Sequence, residues 1–419
     1  MSAAASSPPI AITGVEVACC LGDDWPVIRA ALREGVSGLR PLRELDAATR
    51  WPELRAGWIP ERGLMLSRQY GPASALAVHL ARRAVERRGW SASECAEACL
   101  FAGSSRGNLA GWLSPWPGRR QRRVYAASNN LHGEIASAVS VELGVQGGAH
   151  LLSNGCSSGL DALGMAWLFL SQGLAARAVV VAVDLPLIEP LLASFDETGL
   201  LGGGAAGDPY SPATNGFHPA EAGAAILLER EDMMADDAPR WARVRGYWSA
   251  SDAFDIVGAP KDGDGMVRCL QRAVSALPGQ NIAAICPHAN GTAAHAQAEA
   301  AALRRVWAAG TEKPALHLLK PLLGHSLGAS GAVETALLAD AMRQGHLPPN
   351  PEGLTPPEGF SLPTEPVPLP HQALVLNLSV AMGGHNAVLA LERVSPDRPA
   401  AIDRQILAGD VAGGIAEQK

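Results

Sequence analysis

The chain has 419 residues, of which 47% are hydrophobic and 18% charged, and its formal net charge is −7. This apolar content argues against a disordered chain and suffices for a large core, and the length suggests two domains of ordinary size. The acidic balance excludes a bulk electrostatic attraction to nucleic acid or to an anionic membrane.

The first half of the chain alternates between predicted strands and helices. Short apolar runs ended by Gly or polar residues indicate strands, and Ala- and Leu-rich segments with amphipathic spacing indicate helices. In chain order these patterns predict a strand at 10–14, helices at 24–35 and 71–90, a strand at 100–103, a helix at 127–144, a strand at 150–153, a helix at 158–174, and strands at 178–183 and 224–228. The Gly- and Pro-rich segment 200–217 is predicted to be a loop.

The second half shows the same alternation and looks like a second copy of the first. Its patterns predict a strand from 243, a helix at 265–277, a strand at 282–286, helices at 293–309 and 327–344, and strands at 374–376 and 387–391. Alternating strands and helices indicate the α/β class. We expect an N-terminal half at 1–240, a C-terminal half at 241–396 and a loose tail at 397–419.

A cysteine stands at one of the predicted strand-to-helix turns. Cys156 follows Asn154 and Gly155 and precedes an Ala- and Leu-rich helix. The N–H groups and dipole of a helix N-terminus lower the pKa of a thiol and stabilise an oxyanion, which predicts a nucleophile. Most unpaired cysteines are buried and inert, so this turn alone leaves a structural role open.

Two later segments add the other parts of a covalent acyl-transfer site. His325 lies between Gly324 and Gly328, five residues after Lys320. A second Gly-rich turn contains Gly383 and Gly384. A Cys, a His and a polar turn at the ends of strands are the groups that nucleophilic catalysis needs.

At these positions the sequence resembles the β-ketoacyl synthase family over about residues 10 to 395. Five motifs occur in the family's order, which is far more specific than any one of them. They are Thr13-Gly14 with Leu21-Gly22, Asn154-Gly155-Cys156-Ser157-Ser158-Gly159 for T-A-C-S-S/T-G/S, residues 215–229 for D-G-F-x-x-G-E-G-A-G, residues 320–334 for K-x-x-x-G-H-x-x-G-A-A-G-x-x-E, and Gly383-Gly384-His385-Asn386 for G-G-T-N.

The resemblance implies a fold and a set of roles. The fold would be the thiolase fold, two duplicated halves in a five-layered α/β/α/β/α sandwich, usually as a dimer. Cys156 would carry the acyl group as a thioester, and the N–H groups of Cys156 and Met382 would form the oxyanion hole. His325 would stabilise the enolate from a decarboxylating malonyl extender. Lys320 would tune the histidine with support from Glu334, or the two would be an ordinary buried ion pair.

The sequence departs from the family at the second catalytic histidine, where A-H-G-T-x-T is expected. Asn290 occupies that histidine's position, Thr292 is kept, and Ala294 replaces the second Thr. Asparagine cannot transfer a proton near neutral pH, but its amide can donate a hydrogen bond to an enolate. His288 lies two residues earlier and shares a face with position 290 if the segment is extended.

The gate motif G-F-G-G is changed as well. It reads Ala381-Met382-Gly383-Gly384, so the flexible Met382 replaces Phe while both glycines are kept. This change suggests an unusual acyl pocket or an altered order of the two half-reactions. His385 replaces a Thr and has either a polar role near the pocket or a plain surface or packing role.

Cofactors and partners follow from the remaining features. The seven cysteines form no zinc pattern, residues 202–204 lack a G-x-G-x-x-G context, and the N-terminus has no signal-peptide features. We therefore expect no metal, no cofactor, no nucleic acid and no membrane span, in a cytoplasmic protein.

A basic cluster consists of Arg119, Arg120, Arg122 and Arg123. It is either a solvated loop or a docking site for the acidic acyl carrier protein.

The leading hypothesis is a ketosynthase that joins an acyl thioester to malonyl-carrier protein in specialised fatty-acid or polyketide-type biosynthesis. It would be a homodimer or a heterodimer with a ketosynthase-like subunit. One alternative is an acyltransferase that moves the acyl group from Cys156 to another nucleophile without condensation. Another is a chain-length-type partner subunit, which the presence of Cys156, Lys320 and His325 argues against.

Overall fold

The computed structural model describes residues 8–109, 126–129, 131–203, 207–308 and 312–394. Its α-helices span Trp25–Glu34, Pro72–Arg88, Ala92–Glu97, Ala126–Asn129, Glu134–Leu143, Ser158–Ser171, Glu189–Glu197, Asp264–Ala276, Ala293–Val306, Lys320–Leu323 and Ser330–Gln344. Its strands are β1 Ile10–Ala18, β2 Arg40–Pro41, β3 Arg55–Ala56, β4 Cys99–Gly103, β5 Ala149–Leu152, β6 Arg177–Asp184, β7 Ala222–Arg230, β8 Ala242–Ser251, β9 Ile282–Cys286, β10 Ala315–Leu316, β11 His346–Leu347, β12 Val367–Pro368, β13 Leu374–Ala381 and β14 His385–Glu392.

The main sheet repeats one strand order in each half of the chain. Its order is β10-β9-β13-β14-β8-β1-β7-β6-β4-β5. Outward from the centre, β1-β7-β6-β4-β5 corresponds to β8-β14-β13-β9-β10. In each half the two inner pairings are antiparallel and the two outer pairings are parallel. The α/β prediction and the duplication of the halves are therefore confirmed.

The two halves share a helical middle layer. Strands β1 and β8 pair from Ile10 with Val244 to Ile12 with Ala242, which joins the halves at the centre of the sheet. The helices Ser158–Ser171 and Ser330–Gln344 pack on each other and on strands of both halves. Pro72–Arg88 and Asp264–Ala276 cover the outer faces of the first and second halves, so the layers run α/β/α/β/α.

Small residues let the central helices approach each other closely. A Cβ atom at Gly159 would lie 2.8 Å from the carbonyl oxygen of Gly328, and one at Gly331 would lie 2.8 Å from the Cβ of Leu160. Both distances are below van der Waals contact, so these positions require glycine. This close packing brings the turn before each central helix next to the other.

Several predicted boundaries are wrong. The segment predicted as one helix at 127–144 contains two helices, because the polar stretch before Gly133 interrupts the apolar period. The strand predicted at 374–376 extends to Ala381 and includes the buried polar Asn377, whose amide N–H groups donate to the Gly331 carbonyl and the Thr335 hydroxyl, both at 2.9 Å. The helix Glu189–Glu197 was not predicted.

The remaining predictions on organisation have different outcomes. The division at 240/241 stays a prediction, and the tail at 397–419 lies outside the described residues. In the part of the chain that the structure describes, no helix has the length and apolar character needed to cross a membrane.

Candidate active site

Cys156 sits on a short turn between β5 and the helix Ser158–Ser171. Residues Gly155–Ser157 form one turn of 3₁₀-helix. Gly155 has φ +59°, and a Cβ atom at this position would lie only 3.1 Å from the Cβ of Ala381. The Ser158 hydroxyl donates to the Gly155 carbonyl at 2.6 Å and accepts from the N–H of Asn154 at 3.0 Å. The turn is therefore fixed by its own serine, and it holds a buried Cys156 against the end of β13.

His325 is in direct contact with that cysteine. Its Nε2 lies 3.2 Å from the Sγ of Cys156, and its Nδ1 lies 3.1 Å from the hydroxyl of Ser330. The backbone of His325 is fixed as well, since its N–H donates to the His218 carbonyl at 2.7 Å and its carbonyl accepts from the N–H of Ala220 at 3.0 Å. The predicted pairing of nucleophile and histidine is thus geometrically present.

Burial keeps both groups neutral in the resting site. Burial is the largest of the causes that together raise the pKa of the Cys156 thiol to about 12; the nearby Asp184 carboxylate also raises this pKa, while the charges of Arg106 and Lys320 lower it. Burial and then the charge of Lys320 hold the pKa of His325 well below its ordinary value. The expectation of a thiolate favoured by the helix N-terminus is therefore wrong for the resting state, because desolvation outweighs it.

A buried ion pair lies beside this histidine. The Nζ of Lys320 is 2.5 Å from Oε1 of Glu334, and the two side chains are 5% and 3% exposed. Burial raises the pKa of Glu334, and Lys320 opposes that shift. The other carboxylate oxygen of Glu334 has no hydrogen-bond partner among the described residues. The structure thus brings the predicted pair together, and the positive charge of Lys320 lowers the pKa of His325.

The side-chain oxygen of Asn290 is hydrogen-bonded to Thr292. Its Oδ1 accepts from the N–H and from the hydroxyl of Thr292, both at 3.0 Å, just before the helix Ala293–Val306. Within the described ranges no hydrogen bond joins Asn290 to Cys156 or His325. His288, in contrast, is buried, and its ring centroid lies 5.2 Å from that of His325.

The Gly-rich turn closes the apolar side of the site. Gly383 and Gly384 have φ of +86° and +78° and connect β13 to β14. Met382 precedes them and packs on an apolar cluster around the cysteine, formed by Cys156, Phe195, Phe217, Leu327 and Ala381 with the partly buried Leu191, Leu200 and Leu201. Such a lining suits an acyl chain, while the oxyanion role of the Cys156 and Met382 N–H groups stays a prediction.

Sequence reasoning missed two features of this site. Phe195 lies four residues after Leu191 on the unpredicted helix Glu189–Glu197, and that apolar spacing was the available signal. Asp184 ends the apolar strand β6 and is fully buried. Its carboxylate accepts from the hydroxyls of Ser104 and Ser105 and from the backbone N–H groups of Ser105, Arg106 and Gly328. It therefore fixes the loop after His325 to the loop after β4.

The basic cluster predicted as a docking site lies outside the described residues. Arg119, Arg120, Arg122 and Arg123 all fall between 110 and 125. Their role stays a prediction.

Comparison with known proteins gives consistent matches along the chain. The model described as "Beta-ketoacyl synthase, N-terminal domain" matches residues 7–233, and "Beta-ketoacyl synthase, C-terminal domain" matches residues 241–353. The chain is 28% identical to Nodulation protein E of Rhizobium leguminosarum bv. trifolii over 92% of its own length and 99% of the relative's. It is 27% identical to 3-oxoacyl-[acyl-carrier-protein] synthase 2 of Mycobacterium leprae, over 91% and 96%.

Two further comparisons concern polyketide systems. The chain is 29% identical to "Putative polyketide beta-ketoacyl synthase 1" of Streptomyces halstedii over 63% of this chain and 64% of that protein. The solved structure "The ishigamide ketosynthase/chain length factor" has a TM-score of 0.78 and 25% identity, and covers 93% of this chain and all of that one. The solved structure of AntDE:AntF has a TM-score of 0.77 at 22% identity over 93% and 100%, which shows a shared fold.

Proposed function

Because the chain belongs to the β-ketoacyl synthase family, we propose that Cys156 accepts an acyl group as a thioester and that the same site condenses it with a malonyl extender. The predicted condensing ketosynthase function is confirmed by the relatives, and neither the non-condensing acyltransferase nor the chain-length subunit is needed to account for them. At the coarser level the chain is a condensing transferase. The observation that carries the proposal is the 3.2 Å contact between Cys156 Sγ and His325 Nε2.

The neutral pair explains how loading begins. As the sulfur of Cys156 attacks an acyl thioester carbonyl, the thiol proton moves to Nε2 of His325. The tetrahedral intermediate collapses, the carrier's thiolate leaves, and it takes that proton from His325. Loading thus ends with acyl-Cys156, a neutral His325 and a free carrier thiol.

Condensation then uses the same histidine in a different way. Loss of CO₂ from a malonyl thioester leaves the electron pair of the broken C–C bond in an enolate, whose oxygen needs hydrogen-bond donors. The enolate carbon attacks the acyl-Cys156 carbonyl and expels the Cys156 thiolate, which takes up a proton from water. The products are the β-ketoacyl thioester, CO₂ and the free thiol of Cys156.

We propose acyl carrier protein as the source of both groups. Carrier proteins appear in the names of the mycobacterial relatives and of the AntDE:AntF complex. Docking at the arginines between 119 and 123 remains part of this proposal. The cytoplasmic location and the absence of a cofactor also remain predictions, as does a pathway of the fatty-acid or polyketide type.

A dimer is part of the proposal as well. Strand β5 is the outermost strand of the main sheet, and Ala149 and His150 on it are exposed. An open edge strand can pair with the same strand of a second subunit. The partner would be a second copy of this chain or a related ketosynthase-like subunit.

An intact-mass assay tests the proposal. The protein is incubated with an acyl thioester and then with malonyl-carrier protein, while protein mass, CO₂ and product are followed. We expect an acyl adduct, CO₂ and a product two carbons longer. C156A should form no adduct, whereas C269A, which changes another buried cysteine, should behave as the wild type. An adduct on C156A, or loading without CO₂, would contradict the proposal.

A further inference from the structure

His288 is a buried histidine whose ring has no polar partner in the resting protein. It follows β9 and is 1% exposed. Neither ring nitrogen makes a hydrogen bond to any group in the described part of the chain. Leaving buried polar atoms unpaired is unfavourable, so such a side chain in a native site calls for a reason.

The ring of His288 lies beside that of His325. Its centroid lies 5.2 Å from the ring of His325 at an interplanar angle of 87°, and His325 in turn contacts the sulfur of Cys156. On another side His295 lies 5.7 Å away at 59°, with its own Nδ1 3.0 Å from the hydroxyl of Thr292. His288 is therefore the histidine next to His325 that has free ring nitrogens.

The backbone at this position is fixed by a buried carboxylate. The N–H groups of His288 and Ala289 donate to the two oxygens of Glu299, at 2.7 and 2.9 Å. The hydroxyl of Tyr210 donates to the same carboxylate at 2.8 Å. Ala289 has φ +39°, a left-handed conformation that a non-glycine residue rarely adopts and that tends to mark functional sites. The fold thus maintains strain to hold His288 where it is.

The side-chain oxygen of Asn290 stabilises the start of a helix. Its Oδ1 already accepts two hydrogen bonds from Thr292 at the start of the helix Ala293–Val306. Those bonds orient its amide along the helix entrance, as an Asx turn does. The oxygen of the Asn290 amide is therefore used structurally, while both ring nitrogens of His288 lack a partner in the described part of the chain.

We propose that His288 is the second catalytic histidine of this site, donating a ring N–H to the carbonyl oxygen of the malonyl thioester together with His325. The inference rests on the proposed condensation and names a residue for it. As the C–C bond to the leaving CO₂ breaks, its electron pair forms the enolate C=C bond and the negative charge develops on that oxygen. The two imidazoles stabilise this charge by hydrogen bonding, and no proton passes to the enolate carbon. His325 donates with its proton on Nε2, the tautomer in which Nδ1 accepts from the hydroxyl of Ser330, whereas loading uses the neutral tautomer with Nε2 unprotonated.

Burial supports this role. It holds the pKa of His288 well below its ordinary value, and the charge of Lys320 adds to that effect. A neutral imidazole keeps one N–H to donate and places no fixed positive charge beside Lys320. The substrate oxygen would then provide the partner that the ring lacks in the resting protein.

The two half-reactions separate this role from a structural one. Acyl loading of Cys156 is measured by intact mass, and decarboxylation of malonyl-carrier protein by CO₂ release. For H288A we expect loading close to that of the wild type and CO₂ release lower by about 10²–10³ fold, the cost of removing one preorganised donor. N290A should lower CO₂ release less than H288A does.

A second variant guards against misfolding. H288F keeps a planar ring and removes the unpaired nitrogens, so it should unfold at least as late as the wild type and still lose CO₂ release. H317Q is the matched control, because His317 is also buried with an unpartnered ring nitrogen, and it should keep both half-reactions.

The outcomes distinguish the two proposals. CO₂ release near the wild-type rate in H288A or H288F, or a larger loss in N290A, would overturn the role of His288 and leave the condensing function intact. A wild-type protein that neither loads acyl groups nor releases CO₂ would instead overturn the proposed function.

Discussion

Replacing Lys320 by Met should destabilise the protein far more than replacing an exposed basic residue. Lys320 and Glu334 are 5% and 3% exposed and 2.5 Å apart, and the second oxygen of Glu334 has no hydrogen-bond partner in the described ranges. K320M therefore leaves a carboxylate buried with neither a counter-ion nor sufficient donors. Breaking a buried pair in this way costs about 3–5 kcal/mol of the free energy of unfolding.

The double variant K320M/E334L separates the ion pair from its function. Replacing both charges by apolar groups is expected to be neutral, or stabilising by about 1–4 kcal/mol, relative to the wild type. Urea unfolding followed by tryptophan fluorescence measures all variants. R43M serves as the control, since Arg43 and Glu53 form an exposed pair with side chains 47% and 78% exposed, worth about 0–1 kcal/mol. The reasoning is refuted if K320M costs no more than R43M.

The same variants show whether Lys320 acts on the histidine. Its positive charge lowers the pKa of His325, so its removal should raise that pKa. Loading requires a neutral His325 as the base. The acid limb of the pH profile of the loading rate should therefore move to higher pH in K320M/E334L. An unchanged pH profile in a stable double variant would leave Lys320 and Glu334 as an ordinary buried ion pair.

Three further predictions concern the surroundings of the site. D184N removes a carboxylate that raises the pKa of Cys156, so iodoacetamide should alkylate Cys156 faster at a given pH, and an unchanged rate would contradict the stated cause. Burial lowers the pKa of His317 from an ordinary 6.5 to about 4. About 3 kcal/mol of the free energy of unfolding is therefore present above pH 6.5 and is lost as the pH falls from 6.5 through 4. H317Q should remove that part of the acid dependence measured by urea unfolding. F195A opens the apolar cluster around Cys156, so competition between acyl thioesters should shift toward bulkier chains, and an unchanged preference would exclude Phe195 from the pocket.

The sequence predicted the partners of the site better than their charge states. Cys156, His325, Lys320 and Glu334 belong to motifs in a fixed order, and the structure brings all four together. The direction of the pKa shift of Cys156 was wrong, because the turn suggested a helix N-terminus whereas burial by other parts of the chain dominates. Desolvation depends on tertiary packing, and a local motif does not contain it.

The proposed role of His288 in place of Asn290 illustrates the same limit of a local motif. Spacing along an extended segment put His288 and Asn290 on one face. The left-handed φ of Ala289 breaks that period, and the carboxylate that imposes it comes from Glu299, on the following helix. No pattern within the motif predicts which of the two side chains meets His325.

The neutral resting state fits an enzyme whose cysteine must act twice. Cys156 is the nucleophile during loading and the leaving group during condensation, so a site that strongly stabilised its thiolate would favour departure and weaken attack. Burial and Asp184 oppose the thiolate, while Arg106 and Lys320 favour it. In the proposed loading step, the proton crosses this 3.2 Å contact to His325 as a thioester carbonyl accepts the sulfur's electrons. In the proposed mechanism this pair carries out the proton transfer of loading, and the second half-reaction needs a further hydrogen-bond donor for the enolate, a role that the unpaired ring of His288 would fill.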